Sequence, residues 1–293
     1  MTSLTKRAGD LWVGRYVKQD DSVRAARVKV AHLKAIVVVT GGSRGIGAAL
    51  AQCFAEAGND VAIIARDGHE LEVTAACIRA NTGRTVLTIV GDITSPTSVE
   101  DIERTLTVSG FYLDVLVNNA ATGISGEFER HENIEVDHLI ALNITALSRL
   151  MRHALGPMCA RQRGGILNVA SLGGVGPCPY QSVYYASKAY VMSLTEAVAA
   201  ERPGKGVRIS VLAPGPVNTG FHTAMGTEDA RYRRFLPALS PERAARSAYR
   251  GFTIGQRVIV PGIFNRTLFG CLRLLPHPVT VPIVTWLLRP PQK

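Results

Sequence analysis

The chain lacks the residue groupings that disulfide, metal or membrane-spanning proteins are built on. Its five cysteines (Cys53, Cys77, Cys159, Cys178 and Cys271) include no C-x-x-C pair, and none joins histidines at ligand spacing. No zinc module or other metal site is expected, and free buried thiols in a reducing compartment are expected rather than a disulfide framework. No apolar segment of secretory type opens the chain, so a cytoplasmic location is expected. No Pro/Ser-rich linker, low-complexity tract or solenoid repeat divides the 293 residues, which read as one large domain. Acidic residues nearly vanish at one end. Residues 231–293 hold eleven Lys/Arg and one Asp/Glu, and residues 1–34 hold eight and three. Residues 35–230 hold fourteen and nineteen, so the overall +10 hides a middle of −5. With no aromatic-interleaved basic motif either, a nucleic-acid groove is excluded.

What is present is an alternation of short apolar runs with helical periodicity. Strands are expected near 36–40, 61–65, 85–90, 114–118, 165–170, 207–213 and 257–260, and helices near 45–57, 68–80, 96–108, 134–160, 182–201 and 240–253. Repeated strand–helix–strand units give an α/β domain, a doubly wound parallel sheet of about seven strands with helices on both faces.

The run Ala35–Val39 is followed by T-G-G-S-R-G-I-G, Thr40 to Gly47, and then by apolar residues at helical spacing. Glycines on a strand-to-helix turn let backbone N–H groups and the helix dipole meet a phosphate, so Gly41, Gly45 and Gly47 point to a dinucleotide. Downstream, N-V-A-S171 precedes Y184-Y-A-S-K188. Residues four apart share a helix face, so Tyr184 and Lys188 can enter one site. An ammonium beside a phenol favours the phenolate. With a hydroxyl from Ser171 this is equipment for moving a proton at an oxygen while a hydride moves at the adjacent carbon. Tyr185, three residues before Lys188, is the rival phenol.

Together these segments resemble the short-chain dehydrogenase/reductase family, in order, from about residue 34 to residue 260. The glycine motif matches Thr40–Gly47. The family's N-N-A-G is similar to Asn118-Asn119-Ala120-Ala121, with alanine in place of the final glycine. Its catalytic asparagine matches Asn143, its Ser, Tyr and Lys match Ser171, Tyr184 and Lys188, and its P-G motif matches Pro214-Gly215. The resemblance implies a Rossmann-type fold and cofactor contacts from Gly41, Ser43, Arg44, Gly45, Ile46, Gly47, Arg66, Asp92, Ile93, Asn119, Ala120, Tyr184, Lys188, Pro214, Gly215, Val217 and Thr219. It also implies that Tyr184 is the acid–base residue, that Lys188 lowers its pKa and binds the nicotinamide ribose, and that Ser171 holds the reacting oxygen. Asn143 would hold a water between Lys188 and solvent. A homodimer or homotetramer through helices 134–160 and 182–201 is implied as well.

An acidic residue at the end of the second strand would bind the ribose diol of NAD. Here Ala65 and Arg66 stand there, with Asp67 one place further on. Arginine suits a 2′-phosphate, so NADP(H) is expected over NAD(H). Substrate contacts are expected from residues 172–183 and from a lid over 217–239. In that lid Phe221, Met225, Tyr232, Phe235 and Leu236, with Arg231, Arg233 and Arg234, suit a lipophilic molecule carrying a carboxylate or phosphate. Carbonyl reduction is expected, with alcohol or aldehyde oxidation as the alternative. A non-catalytic NADP-binding sensor or scaffold is the alternative of another class.

The expected divisions are a basic extension over 1–33, the catalytic domain over 34–262 and an apolar basic extension over 263–293. The last, with Pro276, Pro278 and Pro282, is too broken to span a bilayer as one helix. It either packs on the core or a partner subunit, or lies on an anionic membrane surface. Its start, P-G-I-F-N-R over Pro261–Arg266, is similar to relatives of broad or lipid-like specificity. Residues 1–33 are expected to be dispensable, as a start placed too early or a tail without fixed structure. The remaining alternative is one short helix docked on a membrane or on the core.

Overall fold

In a computed structural model of the chain, which describes residues 21–289 apart from 202, 203, 205, 228 and 229, seven strands form one sheet. They are β1 (Lys34–Thr40), β2 (Asp60–Ala65), β3 (Val86–Val90), β4 (Phe111–Asn118), β5 (Gly164–Val169), β6 (Val207–Leu212) and β7 (Val258–Ile259). All neighbours pair in parallel, in the order β3-β2-β1-β4-β5-β6-β7. The strand order reverses between β1 and β4, which opens a crevice at their carboxyl ends.

Each strand alternates its side chains between two covered faces, which is why β1 reads as a continuous apolar run. Val37 and Val39 pack with α2 (Gly45–Glu56), α3 (Gly68–Thr82) and α10 (Pro241–Thr253). Ile36 and Val38 pack on the other side with α4 (Ser98–Val108) and α6 (Leu147–Arg161). α7 (Ser182–Ala200) completes that second layer. The single helix expected over 134–160 is two, α5 (Asn133–Ile140) and α6, joined by a π-helical turn over Ala141–Ala146. The inserted turn lies at Asn143, and such turns recur at functional sites.

Both extensions depart from the simplest expectation. Residues 1–20 lie outside the described residues. From Asp21 the chain forms α1 (Asp21–Val28), which buries Val23 and packs on α6. Arg27 Nε donates to the Arg161 carbonyl at 3.0 Å. Asp21–Val28 is thus not a tail without fixed structure: a buried valine and a hydrogen bond to α6 anchor it to the core, as in the docked-helix alternative. At the other end, α11 (Ile263–Leu274) and α12 (His277–Leu288) follow β7. Two short helices, α8 (Phe221–Ala224) and α9 (Tyr232–Phe235), lie in the expected lid.

Candidate active site

The β1–α2 turn shows why glycine is needed there. Gly41 has φ +63°, and a Cβ on it would sit 2.9 Å from the Ala120 Cα. A Cβ on Gly47 would collide with the Gly41 carbonyl and the Asn119 amide. The turn is tied to the end of β4. Asn119 Nδ2 donates to the Thr40 and Gly41 carbonyls at 3.0 Å each, and the Asn119 and Ala120 N–H groups donate to Thr40 Oγ1. The result is a rigid cradle at the start of α2, where free N–H groups suit a pyrophosphate.

The crevice continues into a cleft of about 870 Å³. Of the residues expected to hold a dinucleotide, all but Gly47 line it: Gly41, Ser43, Arg44, Gly45, Ile46, Arg66, Asp92, Ile93, Asn119, Ala120, Tyr184, Lys188, Pro214, Gly215, Val217 and Thr219. Gly47 stands behind the turn, where its missing side chain lets α2 approach. Partial burial acts to raise the Asp92 carboxyl, but two hydrogen bonds from Thr94 and the Arg66 charge hold it below its ordinary value. Asp67 Oδ1 accepts from the N–H groups of His69 and Glu70, so its carboxylate serves as the cap of α3. Glu70 was not foreseen. Its carboxylate lines the cleft, ion-pairs with Arg44 at 3.5 Å and accepts from Ser43 Oγ at 3.4 Å. Only the return of α3 against the glycine turn brings it there.

On the cleft floor, Tyr184, Lys188 and Ser171 meet. The Ser171 hydroxyl stands beside the Tyr184 phenol, where it acts to lower the phenol's pKa, and accepts from the Gly173 N–H at 3.3 Å. Lys188 Nζ donates to the Val169 carbonyl at 2.9 Å and lies 5.7 Å from the Tyr184 ring centroid. Burial brings Lys188 down to about 8. Burial also pushes the Tyr184 phenol well above its ordinary value; the nearby Tyr232 adds to this, and Ser171 opposes it. Lys188, 5.7 Å from the ring, does not lower it as expected, and desolvation sets the direction. The Tyr185 ring lies tilted against that of Tyr184, centroids 5.0 Å apart, and belongs to a cluster with Cys178 and Leu236. Asn143 is 1% exposed, and both its amide atoms are engaged. Oδ1 accepts from the Thr122 N–H, while Nδ2 donates to the Thr122 carbonyl and to Ser187 Oγ. Behind it, Asn118, Asn168 and Thr195 form a buried chain of hydrogen bonds that joins β4, β5 and α7.

The substrate half of the cleft is bounded by Leu172, Gly173, Cys178 and Gln181 and by Phe221, His222, Met225, Tyr232 and Leu236. Phe235 points outward, and Arg231 lies over the Trp286 ring, 5.5 Å from its centroid, outside the cleft. Its expected contact with an acidic substrate group is thus corrected, because α12 takes it up; the Arg233 and Arg234 side chains lie outside the described residues. Within the expected spans 172–183 and 217–239, Gln181, Tyr232 and His222 take particular places, and α11 and α12 add a further wall. Gln181 is buried on the cleft wall one helical turn before Tyr184, and its amide Nε2 lacks a partner. Tyr232 Oη and His222 Nδ1 are hydrogen-bonded at 2.9 Å. α11 and α12 close the far wall with Leu268, Leu272, Val284 and Leu287. Asn265, from the P-G-x-x-N-R stretch, is buried against Gly215 and donates to the Pro261 carbonyl at 2.9 Å.

A family model described as short chain dehydrogenase matches residues 35–230. The chain belongs to the short-chain dehydrogenase/reductase family. It is an oxidoreductase with the fold of that family. It is 34% identical over 216 residues to a short-chain type dehydrogenase/reductase of Sinorhizobium fredii, spanning 72% of this chain and 82% of that protein. It is 30% identical over 259 residues to 17-beta-hydroxysteroid dehydrogenase type 3 of Danio rerio, spanning 86% and 78%. A 3-ketodihydrosphingosine reductase of Bacteroides thetaiotaomicron is 34% identical over 64% of this chain, a match that covers 65% of that relative. Among solved structures, a short-chain dehydrogenase from Sphingobium yanoikuyae in complex with NADPH has a TM-score of 0.71 at 27% identity, covering 83% of this chain and 96% of that one.

Proposed function

We propose that this oxidoreductase uses NADP(H) to interconvert an alcohol and a carbonyl on a lipophilic substrate, such as a sterol, terpenoid or fatty acyl compound. The observation that carries the proposal is the convergence of the Tyr184 phenol, the Ser171 hydroxyl and the buried Lys188 ammonium beneath a largely apolar wall. The glycine cradle and the cleft residues from Arg44 to Thr219 would hold the dinucleotide. Hydride at the carbonyl carbon is the chemistry that bound NADPH supplies. Ser171 donates to the substrate oxygen and orients it. Tyr184 gives that oxygen its proton in reduction and takes it back in oxidation. Its raised pKa suits the acid role, and Lys188 supplies the positive charge that stabilises the phenolate as it forms. Asn143 positions the site through Thr122 and Ser187, and the proposal also gives it a bridging water to Lys188. Gln181 offers its free amide to a second oxygen on the substrate.

Arg44 and Arg66 flank the adenosine end without a competing Asp67, which favours a 2′-phosphate. Glu70 favours a second reading, dual use of NAD, since a carboxylate beside the crevice is what a ribose diol binds. The lipophilic class follows from the apolar wall and agrees with relatives named for steroid and sphingoid chemistry. The exposed Ile134, Ile140 and Tyr190 on α5 and α7 suit the proposed subunit interface. The test is a screen of sterol, diterpenoid and acyl carbonyls and alcohols with NADPH, NADH and their oxidised forms. Turnover of a lipophilic ketone with NADPH is expected. Tight NADPH binding with no hydride transfer to any activated carbonyl would support the sensor reading instead.

A further inference from the structure

Two helices that wall the cleft also present an apolar outer surface. On α12, Thr280, Val284 and Leu287 face inward, while Val279, Ile283 and Trp286 follow at spacings of four and three and form an outward stripe. On α11, Phe264 and Leu274 are exposed, Leu274 at 86%. Phe235 of α9 packs tilted against Trp286, ring centroids 5.5 Å apart, and extends the patch. Among the described residues nothing covers it. Isolated exposed apolar residues are ordinary, but a contiguous set on one two-helix segment marks an interaction surface.

Charge selects the occupant. From Ile263 to Arg289 the chain holds Arg266, Arg273 and Arg289 and no acidic residue, and Arg231 lies over the Trp286 ring. Arg273 pairs with Glu196, and Arg266 donates to the Val260 carbonyl. A second copy docking face to face would set arginine against arginine. An anionic lipid surface complements both the arginines and the apolar stripes. The helices cannot span a bilayer: no described helix is long and apolar enough, and twelve residues reach only about 18 Å. They can lie in its surface.

The mouth of the cleft gives this face a purpose. Leu275 and Ile283 are both exposed and part of the cleft lining. We infer that α11 and α12 dock on an anionic lipid bilayer and that the cleft takes its lipophilic substrate directly from that bilayer. The second clause rests on the proposed lipophilic substrate; the docking does not.

Flotation of the full-length protein with phosphatidylcholine vesicles, with and without phosphatidylserine, tests the docking without cofactor or turnover. The protein is expected to float with the anionic vesicles and to be released by salt. Leu274→Glu combined with Trp286→Glu, neither residue lining the cleft, should reduce the bound fraction by at least about tenfold. A melting curve checks that the variant is folded, and Trp286→Phe should restore most binding. The double variant should turn over a water-soluble carbonyl normally and a vesicle-dissolved one more slowly. Absence of flotation, equal binding to neutral vesicles, or a dimer that the double variant dissociates would each overturn the docking. Flotation with equal loss of both activities would overturn the access route alone.

Discussion

Lys188→Met separates a catalytic lysine from a structural one. The side chain is 3% exposed, and burial lowers its pKa from 10.5 to about 8. That fall corresponds to about 3 kcal/mol held against the charged form. The hydrogen bond from Nζ to the Val169 carbonyl is lost in the variant and returns roughly 1.5–3 kcal/mol of that gain. Methionine fills a similar volume without a charge. The variant should therefore be as stable as the parent, or more stable by up to about 1–2 kcal/mol, a rise of a few degrees in Tm. The sign with pH is definite. Below about pH 8 the lysine is charged in both folded and unfolded chains, and the full penalty applies. Between about 8 and 10.5 the folded chain has lost a proton that the unfolded chain keeps, so the parent gains stability relative to the variant as pH rises. Activity should move the other way, falling by several orders of magnitude in the variant, because no positive charge remains to stabilise the phenolate. Melting curves across that pH range and single-turnover kinetics with an activated ketone make the measurement. A Tm loss of many degrees, or turnover within tenfold of the parent, would refute the reasoning.

Tyr184→Phe should abolish turnover while leaving NADPH binding within a few-fold, whereas Tyr185→Phe should keep most turnover; the reverse pattern in steady-state kinetics would reassign the acid. Arg44→Ala with Arg66→Ala should weaken NADPH about a hundredfold more than NADH, since each charge-assisted bond to a phosphate contributes about 1.5–3 kcal/mol and Arg44 is largely exposed. Glu70→Gln should tighten NADPH a few-fold, and if it instead weakens NADH more than tenfold by titration, Glu70 is a ribose ligand. Deleting residues 2–32 should lower Tm by several degrees, because Val23 and the Arg27–Arg161 bond contribute about 2–4 kcal/mol together; an unchanged melting curve would return the segment to a dispensable tail.

Features that depend on neighbours in the chain were legible in the sequence. The seven strands fall within about three residues of the expected spans, because each strand buried on both faces writes a short apolar run. Gly41 to Gly47 could be placed on a strand-to-helix turn from their flanks, and Tyr184 and Lys188 on one face from a spacing of four. Ser171 and the two Pro214-Gly215 residues were found by their order along the chain. Other features needed distant segments to meet. The π turn at Asn143 follows from the amide's grip on Thr122, twenty-one residues away in the chain. Glu70 reaches Arg44 only because α3 packs back against the glycine turn. Arg231 leaves the cleft because Trp286 offers its ring outside it. Periodicity shows that a helix has an apolar face but not which surface that face meets. So α1 on α6, and α11 and α12 as the wall of the cleft, were decided by the tertiary structure, where burial against a particular partner outweighs the weak helical preference of each segment alone.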